Sequence, residues 1–228
     1  MISIIIPVIN EEDGILKLLG HLQNSSSHFI SEIIVVDGGS TDNTTDLLQQ
    51  STNVQLIKSE KGRARQMNAG AQAAKCEILY FLHADSYPPQ NFDKLIVTQF
   101  QKGNKAGCFC MRFDHSHWLL KFSGWCTRFN YKICRGGDQS LFVSKTLFEE
   151  IGGFNEDFVI YEDNDFIEKL YQKKQFTIIK KWLTTSARRY EECGVWTLQY
   201  FFLRIHLKKC FGAGPEELHR FYKQKVQV

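Results

Sequence analysis

Short apolar runs rich in β-branched residues alternate with longer segments of helical period along most of this chain, and that alternation admits few architectures. The runs lie at 3–7, 32–36, 54–57, 78–82, 107–113, 140–143 and 176–179. The segments between them are expected to be helical at 11–23, 43–50, 63–74, 90–102, 118–132, 145–151 and 164–173. Parallel neighbours need a long crossover, so strand–helix–strand units of this length wind into a sheet that is parallel in its first half. The fold class is α/β, with a mixed and mostly parallel sheet flanked by helices. A chain of 228 residues, 43% of them hydrophobic, can bury a full core in one domain, and its four prolines form no linker that would divide it.

The formal net charge of +3 is too small to favour nucleic acid, and no Lys/Arg-rich arm supports that partner. Seven scattered cysteines lack the C-x-x-C spacing of zinc and redox sites. They read as small hydrophobes in a reducing compartment, and a cytoplasmic location is expected. The start, Met1 to Pro7, has no basic region and runs at once into polar residues, as a first strand does and a signal peptide does not. No window reaches the roughly 20 apolar residues of a membrane span.

Ligands of such sheets bind outside the carboxyl ends of the strands, so the chemistry is expected where the apolar runs stop. Three stops read Pro7-Val8-Ile9-Asn10-Glu11-Glu12, Val36-Asp37-Gly38-Gly39-Ser40-Thr41-Asp42 and Leu82-His83-Ala84-Asp85. The first has neither the G-x-G-x-x-G nor the G-x-x-x-x-G-K-[ST] pattern, which disfavours a dinucleotide site and an ATPase. Asp37 precedes two glycines that let a flat ligand approach the backbone; it either meets a base or ribose or orders its own turn. Asp42 and Ser40 suit a helix cap.

A carboxylate at the tip of a buried strand is costly unless it meets a cation or a substrate proton. Asp85, and Glu162-Asp163-Asn164-Asp165 just after Gly152-Gly153-Phe154-Asn155-Glu156, therefore imply a divalent metal site and a catalytic base. The alternative is that Glu162, Asp163 and Asp165 are first-turn acids on a helix dipole. Arg63 and Arg65 open a helix whose dipole prefers anions, a conflict that a bound phosphate resolves. Their spacing puts them on different faces, so one of the two meets the ligand, or both belong to a solvated basic turn. His115-x-His117 has no third ligand in reach and reads as loop.

Pro7-x-x-Asn10-Glu11, Val35-Val36-Asp37-Gly38-Gly39-Ser40-Thr41-Asp42, Asn68-x-Gly70, the Asp85 cluster and Gly152-Gly153-Phe154-Asn155-Glu156 leading to Glu162-Asp163-x-Asp165 occur in order. As a set they resemble glycosyltransferase family 2, over about the first three-quarters of the chain. The resemblance implies a single GT-A-like, Rossmann-like domain. Residues 1–110 would form a nucleotide-sugar-binding half, 111–190 an acceptor and catalytic half, and 191–228 a C-terminal helical segment. It implies inverting, metal-assisted transfer of a sugar from a nucleotide diphosphate sugar to a hydroxyl acceptor, with Mn²⁺ or Mg²⁺.

Carried onto this sequence, the pattern puts Pro7, Ile9 and Glu11 around the nucleoside and Asp37 on its base or ribose; a place for Arg63 or Arg65 near a donor phosphate follows from the helix dipole and not from the pattern. Asp85 would hold the metal and Asp163 would be the base, with Glu162 and Asp138 on the acceptor side; Asp138 reads equally as a turn residue. His83 stands where the first acid of a D-x-D pair would be, and an imidazole suits Mn²⁺ better than Mg²⁺. Otherwise it only hydrogen-bonds within the strand end. Arg188-Arg189-Tyr190 resembles the basic-aromatic motif of processive relatives, but the Gln that begins it is missing. Either arginine clamps the leaving group or both belong to a solvated rim. Two other functions stay open: a catalytically idle nucleotide-sugar-binding subunit, which His83 motivates, and a sugar-1-phosphate nucleotidyltransferase, which would want a Gly-rich basic loop after the first strand.

Residues 194–211 are aromatic, helical in length and basic toward their end. Trp196, Tyr200, Leu203 and Leu207 form one stripe, and it is expected to pack on the domain itself or on a second copy in a homodimer. Peripheral contact with a membrane surface is the alternative.

Overall fold

Ile2, Ile4, Ile6 and Val8 of the first strand, β1 (Ile2–Val8), join one hydrophobic core, while Ile5 joins a second on the opposite face. A strand that is apolar on both faces belongs in the middle of a sheet covered on both sides. The computed structural model describes residues 1–136 and 139–225, and β1 is central in it. β2 (Ile30–Asp37) and β4 (Ile78–Phe81) flank it in parallel, and β3 (Gln55–Lys58) lies beyond β2. β7 (Leu141–Ser144) runs antiparallel between β4 and β6 (Ala106–Phe113). β8 (Thr177–Thr185) is parallel to β6, and β5 (Ser86–Tyr87) closes the edge antiparallel to β8. The order is β3-β2-β1-β4-β7-β6-β8-β5.

Helices α1 (Ile15–Ser25), α2 (Thr44–Gln49) and α4 (Phe92–Gln101) fill one core with Ile15, Leu18, Leu48 and Phe92. On the other face α3 (Arg63–Ala73), α6 (Lys145–Ile151) and α7 (Glu162–Gln172) contribute Met67, Phe148 and Phe166. Each such side chain stabilises the fold by about 1.5–3 kcal/mol. The order 3-2-1-4 means that consecutive strands leave β1 on one side and return on the other. The crevice at the carboxyl ends of β1 and β4 is the switch point where ligands of open α/β sheets bind.

Three expectations about element bounds are corrected. The helix expected from residue 11 begins at Ile15, because Asn10 is left-handed (φ 55°) and Glu11 and Glu12 donate their amides to Thr44 and Asp42 across the gap to β2. The helix expected to reach residue 132 is α5 (Trp118–Cys126). Arg135 takes the carbonyls of Thr127 and Phe129, both at 2.6 Å, and holds the chain out of helical register. The strand expected at 176–179 runs on to Thr185, because its pairing with β6 slips between Phe109 and Cys110. That bulge turns Lys180 and Lys181 outward together and interrupts the alternation by which a strand is recognised. β5 and α8 (Arg188–Cys193) are too short to show a period, while α10 (Pro215–Lys225) lies within the C-terminal helical segment expected at 191–228.

Of the two coverings expected for the aromatic stripe, one is excluded by the aromatic helix, α9 (Val195–Cys210). The stripe Trp196, Tyr200, Leu203 and Leu207 is not covered by the domain: all four are exposed. Leu198 and Ile205 are buried instead, in satellite cores with Tyr190 of α8 and with Phe158 and Leu218. Among the described residues no helix is long and apolar enough to cross a membrane.

Candidate active site

The loops after β1 and β2 are laced into one rim. Asn10 donates its amide to Ser40 Oγ at 2.9 Å and accepts from the Thr41 amide at 2.8 Å, while Asn43 donates to Glu12 at 2.9 Å. Beneath the rim, Gln66 of α3 is buried and donates to Val8 O, the last carbonyl of β1, and to Val36 O, one residue from the end of β2, each at 2.8 Å. A Cβ on Gly38 would stand 2.8 Å from that amide, so only glycine lets the loop pass. Pro7, Ile9 and Glu11 are half-buried on this rim.

Asp37 is 3% exposed, and its carboxylate accepts from the amides of Gly39 (3.1 Å) and Ser40 (3.0 Å) and from the Ser40 hydroxyl (2.5 Å). These bonds order its own turn, and a ribose or base would have to exchange with them. Asp42 accepts from the Thr44 amide at the start of α2, as a cap does.

The Asp85 loop is drawn across the crevice by the short strand β5. Ser86 meets Thr185 through their hydroxyls at 3.0 Å, and the Ser186 amide donates to Asp85 O at 3.2 Å. Because β8 ends there, Arg188 arrives beside Glu11, with Nη2 3.5 Å from Oε1. Burial raises the Glu11 carboxyl above its ordinary value; Arg188 offsets part of this and the nearby Asp85 carboxylate adds to it.

The opposite wall comes from the second half of the sheet. Asn68 of α3 donates to Phe154 O at 2.9 Å and accepts from the Phe154 amide at 3.0 Å. Gly153 turns the chain there at φ 69°, where an added Cβ would lie 2.9 Å from Asn68 Oδ1. This clasp sets the start of α7 against the start of α3. Arg63 Nε then lies 3.2 Å from Glu162 Oε1, and its Nη1 is 3.4 Å from Asp163 Oδ2. His83 Nε2 approaches the same Asp163 oxygen at 3.9 Å. Both acids are buried in the first turn of α7, where the helix dipole also favours negative charge. Arg65 faces away, paired with Glu60 and with Glu156 at 3.8 Å, so of the two arginines Arg63 is the one beside the acids.

Asp138 lies outside the described residues. Asp165 pairs with Lys169 at 3.1 Å one turn along α7. His117 caps α5, accepting from the Leu119 amide at 3.2 Å, as its loop reading implied. Gln66 was not singled out in the sequence, where a glutamine inside a helical segment looks solvated. Among the described residues no three His, Cys, Asp or Glu side chains gather into a metal cage. A hard divalent cation often takes only one or two carboxylates from protein and the rest of its shell from substrate phosphates, so a site built on Asp85 is compatible with that donor set.

The description of glycosyl transferase family 2 matches residues 3–153. An uncharacterized glycosyltransferase of Haemophilus influenzae is 30% identical over 195 residues, covering 79% of this chain and 65% of that protein. The undecaprenyl-phosphate 4-deoxy-4-formamido-L-arabinose transferase of Proteus mirabilis is 29% identical over 107 residues, covering 42% of this chain and 33% of its own length. The chain thus spans less than two thirds of either relative. In three dimensions, S. aureus TarS 1–349 in complex with UDP superposes with a TM-score of 0.69 at 18% identity, covering 82% of this chain and 60% of that one. That likeness shows a shared fold.

Proposed function

The chain belongs to glycosyl transferase family 2, and from that premise we propose that it transfers a sugar from a nucleotide diphosphate sugar to a hydroxyl acceptor, with inversion at the anomeric carbon. The observation that carries the reading is the bridge from Arg63 to Glu162 and Asp163. It brings two buried carboxylates against the strand-end crevice that suits a nucleotide. Inverting transfer needs one carboxylate on the acceptor side to take the hydroxyl proton as that oxygen attacks the anomeric carbon, and no covalent nucleophile. Asp163 has that role here. Glu162, buried beneath it, keeps Arg63 in place. The solved complex of TarS with UDP supports a nucleotide donor.

Pro7, Ile9 and Glu11 line the nucleoside side of the crevice, with Asp37 ordering its floor. Arg63 and Arg188, one on each wall, are placed to answer the charge of a diphosphate. Asp85 would hold Mn²⁺ or Mg²⁺ together with donor phosphates, and His83 would add an imidazole that favours Mn²⁺. Such an ion would neutralise the leaving diphosphate.

The test separates binding from transfer. Asp163→Asn should bind a nucleoside diphosphate in calorimetry as the parent does, and lose about 10²–10⁴ in transfer rate. Near-parent turnover by this variant would move the base to Glu162. Asp85→Ala should abolish any gain in nucleotide affinity on adding Mn²⁺; a parent protein whose affinity ignores the ion would remove the metal from the mechanism.

A further inference from the structure

Two helices of this chain carry matching apolar stripes with no protein on them. Trp118, Phe122, Trp125 and Phe129 follow i, i+4, i+7 and i+11 along α5 and the turn after it. Trp196, Tyr200, Leu203 and Leu207 repeat the same spacing along α9. Each of the eight side chains keeps between 42% and 62% of its surface in solvent. The stripes form one surface: the rings of Trp118 and Trp196 meet at 5.8 Å, and beneath them Leu120 and Leu198 share a buried core. Exposed apolar area of this extent marks a contact site.

The charges around the stripes say what it contacts. Residues 115–137 and 193–215 contain no aspartate or glutamate, although the whole chain has 25. Exposed Lys121, Arg128 and Arg204 stand one helical turn from stripe residues, and Arg204 lies 5.8 Å over the exposed ring of Tyr200. A two-fold dimer through this face would set these cations against their own copies, and like charges repel. An anionic lipid surface answers both features at once. Tryptophan and tyrosine favour the depth where headgroups meet acyl chains, and each Lys or Arg near an anionic leaflet adds attraction.

We propose that the α5–α9 face is a membrane-docking surface that lies in the plane of an anionic phospholipid bilayer. The inner side of α9 gives the docking a direction. Ile205 packs on Phe158, and His206 Nδ1 is 3.3 Å from the hydroxyl of Tyr161, the residue just before Glu162 and Asp163. A bilayer under α9 is therefore one layer of side chains from Tyr161, which leads into the first turn of α7 and its two buried acids.

The full chain is sedimented with vesicles of equimolar phosphatidylglycerol and phosphatidylcholine, and with phosphatidylcholine alone, while tryptophan emission is followed. It should pellet with the anionic vesicles in low salt, shift its emission to the blue, and be released by about 1 M salt, where screening is nearly complete. Trp125→Ser with Leu203→Ser, and separately Arg128→Glu with Arg204→Glu, should each weaken partitioning by about tenfold or more with an unchanged melting curve. All four positions are exposed, so the fold should tolerate them. Asp163→Asn should sediment like the parent, which keeps this result independent of the transfer reaction. A chain that stays in the supernatant overturns the proposal, and so do variants that bind as tightly as the parent. Light scattering that finds a dimer dissolved by Trp125→Ser with Leu203→Ser would assign the face to a second copy.

Discussion

Gln66 shows how much one side chain can decide. Its amide donates to carbonyls at the ends of β1 and β2, the two strands whose loops are laced into one rim. Gln66→Ala should remove one buried hydrogen bond from Val36 O and leave Val8 O with the Gly38 amide alone, at a cost of about 1–3 kcal/mol. A thermal melt would read that as a drop of several degrees in a chain of this size. Gly38→Ala should also destabilise the parent by crowding this amide, and do so less in the Gln66→Ala background; equal penalties in both backgrounds would disprove the coupling. Glu11 makes a prediction of opposite sign. Its folded carboxyl holds a proton more tightly than the unfolded one, so it favours the folded state most below the ordinary carboxylate range and loses that contribution as pH rises. Glu11→Gln should therefore raise the melting temperature of the ligand-free chain at pH 7, with the gain vanishing near pH 4. These assignments show why the site was only partly legible in sequence. Asp85 and Asp163 announce themselves because charge at the end of an apolar run or turn needs a reason. Gln66 does not, since its role depends on carbonyls that only the assembled sheet brings to it.

At the scale of elements, the regular units were legible and the irregular ones were not. β1, β2 and α3 follow from period alone, as their side chains fill the two cores. The full length of β8 is hidden in sequence because a bulge sends Lys180 and Lys181 out together, and the late start of α1 because the Glu11 and Glu12 amides are bonded to another loop. The aromatic stripe of α9 is legible in sequence but which side the domain covers is not, because Leu198, Phe202 and Ile205 supply a second apolar stripe at the same spacing. The inner side of α9 should respond to acid. Burial lowers the His206 imidazole below its ordinary value, and Lys132 adds to the effect, so the neutral ring stabilises the fold above about pH 6.5 and that contribution is lost as pH falls. His206→Gln should flatten the decline of melting temperature between pH 7 and 5. An unchanged slope would mean that another group carries it.

For the whole molecule, the sheet order separates two tasks. The β1–β4 crevice gathers Glu11, Asp85 and Arg188 from three strand ends, while α7 delivers Glu162 and Asp163 from beyond β7. The two sides meet through Asn68, whose bonds to Phe154 span 86 residues of sequence. Asn68→Ala should lower stability by about 1–3 kcal/mol, and hydrogen exchange at the Phe154 amide should speed up more than at β1 amides. The long reach of that clasp also has a consequence in time. As the chain leaves the ribosome, β1 and β2, which carry the rim, have their partners within the first 81 residues, whereas Arg63 must wait for a further hundred to meet Asp163. A growing chain thus has the means to form the parallel half of the sheet, with the floor of the crevice, well before the acids of α7 arrive to wall its far side.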